Sequence, residues 1–145
     1  MSRATTAIET RLRDGRDEVF DPCRRRWVAL TPEEWVRQNV IRRLHLDYSY
    51  PLEVMQVEGT IEQNGMSRRC DIVVYNRQGL PWMIVECKRD TVPLTQSVCD
   101  QACRYNRVLQ VPYLVLTNGR SQVVMKVDFA QGQLLQLSDI PHYEA

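Results

Sequence analysis

Two short apolar runs limit what this chain can become: Arg69-Cys70-Asp71-Ile72-Val73-Val74-Tyr75 and Trp82-Met83-Ile84-Val85-Glu86-Cys87-Lys88. Both are rich in β-branched and aromatic residues. They flank the turn-forming segment Asn76-Arg77-Gln78-Gly79-Leu80-Pro81, so they predict a β-hairpin. A hairpin centred between Gln78 and Gly79 sets Val73 against Ile84, Tyr75 against Trp82 and Asp71 against Glu86. Opposed residues share a face, and alternation sends Lys88 to the side that carries Glu86. Two carboxylates and an ammonium therefore meet near the ends of two apolar strands. Close carboxylates resist ionising together. A divalent cation relieves that conflict, and Mg²⁺ favours one or two carboxylates completed by water and phosphate oxygens. The same residues also suit a solvated edge-strand face on which Lys88 makes an ordinary ion pair.

The rest of the chain arranges itself around this hairpin as a single domain over residues 1–145. An N-terminal helical arm is expected over about 1–30, with Ala7, Ile8, Leu12 and Val19 on the apolar side of a helix within 1–20. Cys23 to Leu30 is expected as a short strand or extended segment. A core of about 31–130 follows, then a short C-terminal tail. Thr31-Pro32-Glu33 opens a helix with an N-cap, a first-position proline and first-turn acids. Its apolar stripe is Val36, Val40, Ile41 and Leu44, which at 100° per residue places Glu33 at the stripe's centre and Glu34 at its edge. Glu33 is either a carboxylate aimed at the sheet or a first-turn acid favoured by the helix dipole. Val54 to Glu62 reads as one strand that completes a three-strand meander with the hairpin. A crossover helix from about Thr95 to Gln110 is expected to bury Val98, Ala102, Tyr105 and Leu109. It is long enough to return Tyr113–Thr117 parallel to the last meander strand. Asn118-Gly119 then turns the chain into a strand over Gln122–Phe129.

Charge excludes a global polycation, because the formal net charge is +1. Arginines crowd the first third, though acids are interleaved with them, so the footprint of a polyanion partner is weak and a solvated basic face accounts for it equally. No apolar run is long enough to cross a membrane, and the N-terminus has no apolar segment of a secretory signal. The five cysteines lack the paired spacing of zinc or iron–sulfur sites. Reduced thiols in a cytoplasmic protein fit them best.

Asp71, fourteen intervening residues and Glu86-Cys87-Lys88 resemble the signature of the PD-(D/E)xK nuclease superfamily. The α-β-β-β-α-β order is similar to that superfamily's restriction-endonuclease-like core, an α/β fold with a mixed sheet flanked by helices on both faces. Glu33 resembles the acid that members carry on the first core helix. Gln101-Ala102-Cys103-Arg104-Tyr105 resembles the QxxxY motif of RecB-like nucleases. Asp21-Pro22, Pro32 to Gln38, Val85 to Lys88 and Leu116 to Gly119 are similar to the N-terminal nuclease domain of type I restriction enzyme R subunits. Cys70 stands where the superfamily name has proline. R subunits carry motor domains after the nuclease, and these residues include none.

The resemblance implies a Mg²⁺- or Mn²⁺-dependent endonuclease acting on DNA within a restriction-modification system, with a motor or restriction-modification subunit as a partner. Asp71, Glu86 and the Cys87 carbonyl would bind metal; Lys88, Glu33, Gln101 and Tyr105 would complete the site. Arg37, Arg89 and Arg104 would contact phosphates. Two other classes stay open: a catalytically silent DNA- or protein-binding module on the same fold, and a cysteine-based redox or metal protein.

Overall fold

A computed structural model describes residues 7–144. The chain opens with a three-stranded antiparallel ribbon: β1 (Thr10–Arg13), β2 (Arg16–Asp21) and β3 (Arg26–Ala29). This corrects the helical arm expected near the N-terminus; residues 1–6 of that expectation lie outside the described residues. Asp14 and Gly15 take φ of 51° and 75°, the backbone a two-residue hairpin turn demands. That local signal outweighs the weak helical periodicity of Ile8, Leu12 and Val19. The register sets Arg11 opposite Glu18, and the pair closes at 2.7 Å.

Helix α1 (Pro32–Asp47) begins as its sequence predicts, with the Thr31 hydroxyl accepting from the Glu34 amide at 3.0 Å. Five strands follow: β4 (Met55–Val57), β5 (Thr60–Gln63), β6 (Met66–Arg69), β7 (Ile72–Tyr75) and β8 (Pro81–Cys87). The one strand expected over Val54–Glu62 is broken at Glu58-Gly59, where Glu58 takes a φ of 55°. β4 therefore pairs with β7, while β5 and β6 form their own two-stranded ribbon. Helix α2 (Gln96–Leu109) crosses over to β9 (Tyr113–Thr117), which runs parallel to β8. β10 (Gln122–Asp128) and β11 (Gln133–Leu137) complete the sheet, in the order β11-β10-β9-β8-β7-β4. β11 arises from the segment expected to be a tail.

Side-chain alternation divides this sheet cleanly. Ile72, Val74, Met83, Val85, Val115 and Val124 pack with Val36, Val40, Ile41 and Leu44 of α1. Val73, Ile84, Leu114, Leu116 and Met125 pack with Ala102 and Leu109 of α2. Each such aliphatic side chain contributes about 1.5–3 kcal/mol on burial. The result is the expected α/β restriction-endonuclease-like sandwich, with a helix on each face of a mixed sheet. At the hairpin-turn end, Tyr50, Trp82 and Tyr143 pack with ring centroids 5.2–5.7 Å apart, and the Tyr143 hydroxyl donates to the Tyr75 carbonyl at 2.9 Å. That end is plugged. The opposite end of β7 and β8 carries the polar residues.

Candidate active site

β7 and β8 keep the predicted register, with Ile72 opposite Val85 and Val73 opposite Ile84. One more step along it brings Asp71 across from Glu86. A bulge after Val74 sets Tyr75 against Pro81 instead of Trp82, so the slip is confined to the turn end. Asp71 Oδ2 accepts the Cys87 amide at 2.7 Å, and Oδ1 accepts from the Arg37 guanidinium at 3.2 Å. Glu86 is ion-paired with Arg68. The Asp71 and Glu86 side chains are only 18% and 12% exposed.

Burial raises the Glu86 carboxyl from its ordinary 4.5 to about 7; Arg68 opposes the rise, and Asp71, close enough to hydrogen-bond, adds to it. Between these two values the folded chain keeps a proton that the unfolded chain has released. The stability this group contributes is therefore fully present below pH 4.5 and is lost as pH rises through about 7. The upper bound is on the order of 3 kcal/mol, since each pH step between the two values is worth about 1.4 kcal/mol. Thermal melts should show this fall for the parent chain and a flatter profile for Glu86→Gln. Parallel profiles would mean that Glu86 titrates near its ordinary value.

An arginine–carboxylate network holds Asp71 from the α1 side. Arg37 reaches Glu34 at 3.0 Å, Glu58 at 3.4 Å and Asp71 at 3.2 Å. Arg37 is thus buried in a brace, which corrects its expected place as a phosphate contact. The first-turn acids are also exchanged relative to expectation. Glu34 is buried and bonded to Arg24, Arg37 and Gln38, whereas the Glu33 side chain is 48% exposed and 4.0 Å from Arg37. The apolar stripe is placed as expected, but Arg24 from the N-terminal ribbon covers the Glu34 flank. Glu58 was missing from the sequence-based site. Burial disfavours its charge, yet Arg69, Arg37 and Arg24 together hold its carboxyl below the ordinary range.

Lys88 lies half-buried just past the end of β8, with its amide donating to the Thr117 carbonyl at 2.9 Å. The two acids are ion-paired to Arg37 and Arg68, not to Lys88. The segment after Lys88 is pinned by Asn118, whose Nδ2 donates to the Val92 carbonyl at 2.8 Å while Oδ1 accepts the Arg120 and Ser121 amides at 2.9 Å. Arg89 and Arg104 are exposed, as a phosphate contact requires.

Gln101 and Tyr105 lie on the exposed side of α2; Asn106, not Tyr105, fills the buried stripe beside Ala102 and Leu109. Asn106 bonds the Val111 amide and carbonyl, both at 2.9 Å, and so satisfies the chain leaving α2. Tyr105 has a different role from the expected packing. The Arg68 guanidinium lies 4.2 Å from its ring centroid, within cation–π range, and carries the contact on to Glu86. Arg68 has no local sequence signal, because it meets Glu86 only through the fold.

Among the described residues no three His, Cys, Asp or Glu side chains converge on one point. The acids that meet at this strand end are Asp71 and Glu86, a pair whose oxygens would suit Mg²⁺ if a backbone carbonyl, water and phosphate completed the shell. The raised Glu86 carboxyl supports that fit, since a cation beside it would stabilise the charged form that burial disfavours. The thiols do not form such a set. All five cysteines are free; burial pushes Cys70 up to about 11 and also raises Cys87 well above the ordinary thiol range, so both stay protonated at neutral pH.

The family described as Type I restriction enzyme R protein N terminus matches residues 32–141. The endonuclease subunit of the type I restriction enzyme EcoAI from Escherichia coli is 28% identical over 89 residues, which is 59% of this chain and 11% of that subunit. A fragment described as an HsdR subunit of a type I restriction enzyme from Vibrio vulnificus YJ016 shares the fold, with a TM-score of 0.53 at 19% identity. That likeness covers 79% of this chain and 24% of the Vibrio chain. The chain thus spans about a tenth of the curated relative and a quarter of the solved one.

Proposed function

Because this chain belongs to the type I restriction enzyme R protein N-terminal family, we propose that it is a Mg²⁺-dependent endonuclease domain that hydrolyses DNA phosphodiester bonds. The observation that carries the reading is the opposition of Asp71 and Glu86 at one strand end, with Lys88 two residues beyond Glu86. Asp71, Glu86 and the Cys87 carbonyl would hold Mg²⁺ or Mn²⁺, which when bound lowers the pKa of a coordinated water and polarises a phosphate oxygen.

The chain's own residues do the rest. Lys88 orients the attacking water by donating to it and offsets charge gathering on the phosphate. Arg37 keeps Asp71 turned toward the strand end, and Tyr105 steadies Glu86 through Arg68. Arg89 and Arg104 contact the DNA backbone, with Gln101 at the same helix face and Glu33 at the rim. Phosphate contacts position the duplex without reading bases, so binding should weaken steeply with salt and show little sequence preference. The partner proposed beside DNA is a motor or other subunit of a restriction-modification system. No helix among the described residues is long and apolar enough to cross a membrane.

One observation favours the second reading, a catalytically silent binding module. Asp71 is bonded by Arg37 and the Cys87 amide, and Glu86 is paired with Arg68, so each acid has a protein partner in place of a metal. Mn²⁺ calorimetry combined with supercoiled-plasmid cleavage separates the two. The nuclease reading expects Mn²⁺ binding that Asp71→Asn abolishes, and metal-dependent nicking that disappears with it. DNA retention without Mn²⁺ binding or nicking would establish the silent module instead.

A further inference from the structure

Building on the nuclease reading, we propose that Arg24, carried by the turn between β2 and β3, is a positioning residue for Asp71. The ribbon that bears it lies outside the stretch matched by the family, residues 32–141. Its connection to the site is nonetheless direct. Asp21 is fully buried, and its Oδ1 accepts the Cys23 and Arg24 amides at 2.7 and 3.1 Å. Its Oδ2 accepts Arg24 Nε at 2.5 Å, which aims the guanidinium at α1. Another nitrogen of Arg24 donates to Glu34 Oε1 at 2.8 Å, and that same oxygen accepts from Arg37 at 3.0 Å. Arg37 then reaches Asp71 at 3.2 Å, the longest contact along this chain of side chains.

A second branch runs through Glu58. Its carboxyl oxygens lie 3.7 Å from Arg24 and 3.4 Å from Arg37, while its amide donates to the Asp71 carbonyl at 2.8 Å. The Asp71 side chain is therefore tied to Arg37, which shares Glu34 and Glu58 with Arg24, and the Asp71 carbonyl is tied to the amide of that same Glu58. Without the Arg24 charge, Glu34 and Glu58 draw on Arg37 alone, and the 3.2 Å contact to Asp71 is the one they compete with. A forked guanidinium serves three acids at once; a lysine ammonium is a point charge and cannot.

The test uses the full chain with Arg24→Lys, which keeps the charge, and Arg24→Met as the harsher change, each checked for a native far-UV spectrum. The first readout needs neither metal nor DNA: hydrogen exchange of the Cys87 amide, which Asp71 Oδ2 accepts. Exchange at Cys87 should quicken about tenfold in Arg24→Lys, as a local opening without global unfolding. In Mg²⁺, kcat should fall about tenfold or more with KM unchanged, the signature of a misplaced reacting group. Arg11→Met is the control. It removes the Glu18 ion pair and the stack over Trp27 in the same ribbon, yet lies off the relay, so neither readout should move. Unchanged Cys87 exchange in both Arg24 variants, or an equal change in Arg11→Met, overturns the proposal. If the parent chain cuts no DNA, the nuclease reading fails, while Cys87 exchange still decides whether Arg24 braces Asp71.

Discussion

Lys88→Ala is expected to lower plasmid cleavage about 10²–10³-fold, the usual worth of a group aimed at charge that develops in the transition state. Stability should stay within about 0.5 kcal/mol, as for substitutions that remove no buried contact. The separation follows from where the residue sits. Its backbone is fixed by the Thr117 carbonyl, but the nearby carboxylates are ion-paired with Arg37 and Arg68 rather than with the Lys88 ammonium. Truncation therefore strands no buried charge. Turnover and chemical denaturation measured on the same preparation check both halves. Cleavage at the parent rate would remove Lys88 from the mechanism; a large loss of stability would show that the ammonium neutralises the acid pair structurally.

Arg37→Ala should produce the opposite pattern in stability, a loss of about 3–5 kcal/mol. Arg37 is 7% exposed and contacts Glu34, itself 9% exposed, together with Glu58 and Asp71. Removing it leaves several carboxylates sharing fewer cations in a poorly solvated place. Urea denaturation should show a lower midpoint with an unchanged slope. Replacing Arg37 and Glu34 together by Leu should recover part of the loss, since a buried pair exchanged for apolar groups is often neutral. A single substitution costing under about 1 kcal/mol would place these residues in the range of exposed ion pairs.

The acid pair was legible in the sequence because strand alternation and hairpin register are arithmetic on positions. Asp71 and Glu86 fall opposite each other from the same count that pairs Val73 with Ile84. The crossover helix and the parallel strand after it were legible for a similar reason. The ribbon at residues 10–29 was not, because a single Asp14-Gly15 turn competed with a helix-like spacing of few apolar residues. The choice between Glu33 and Glu34 could not be made from periodicity either. Both flank the same stripe, and only the arrival of Arg24 from another element settles which one is enclosed.

The sequence by itself thus determined the sheet's alternating faces, the hairpin register and the acids and lysine at its open end. These depend on local backbone geometry and on neighbours a few residues away. Only the tertiary structure decided how those charges are held. Arg24, Arg37 and Arg68 reach Glu34, Asp71 and Glu86 across 10, 34 and 18 positions of chain. Such contacts are set by burial and Coulomb attraction once the layers have packed, and no periodicity along the chain encodes them.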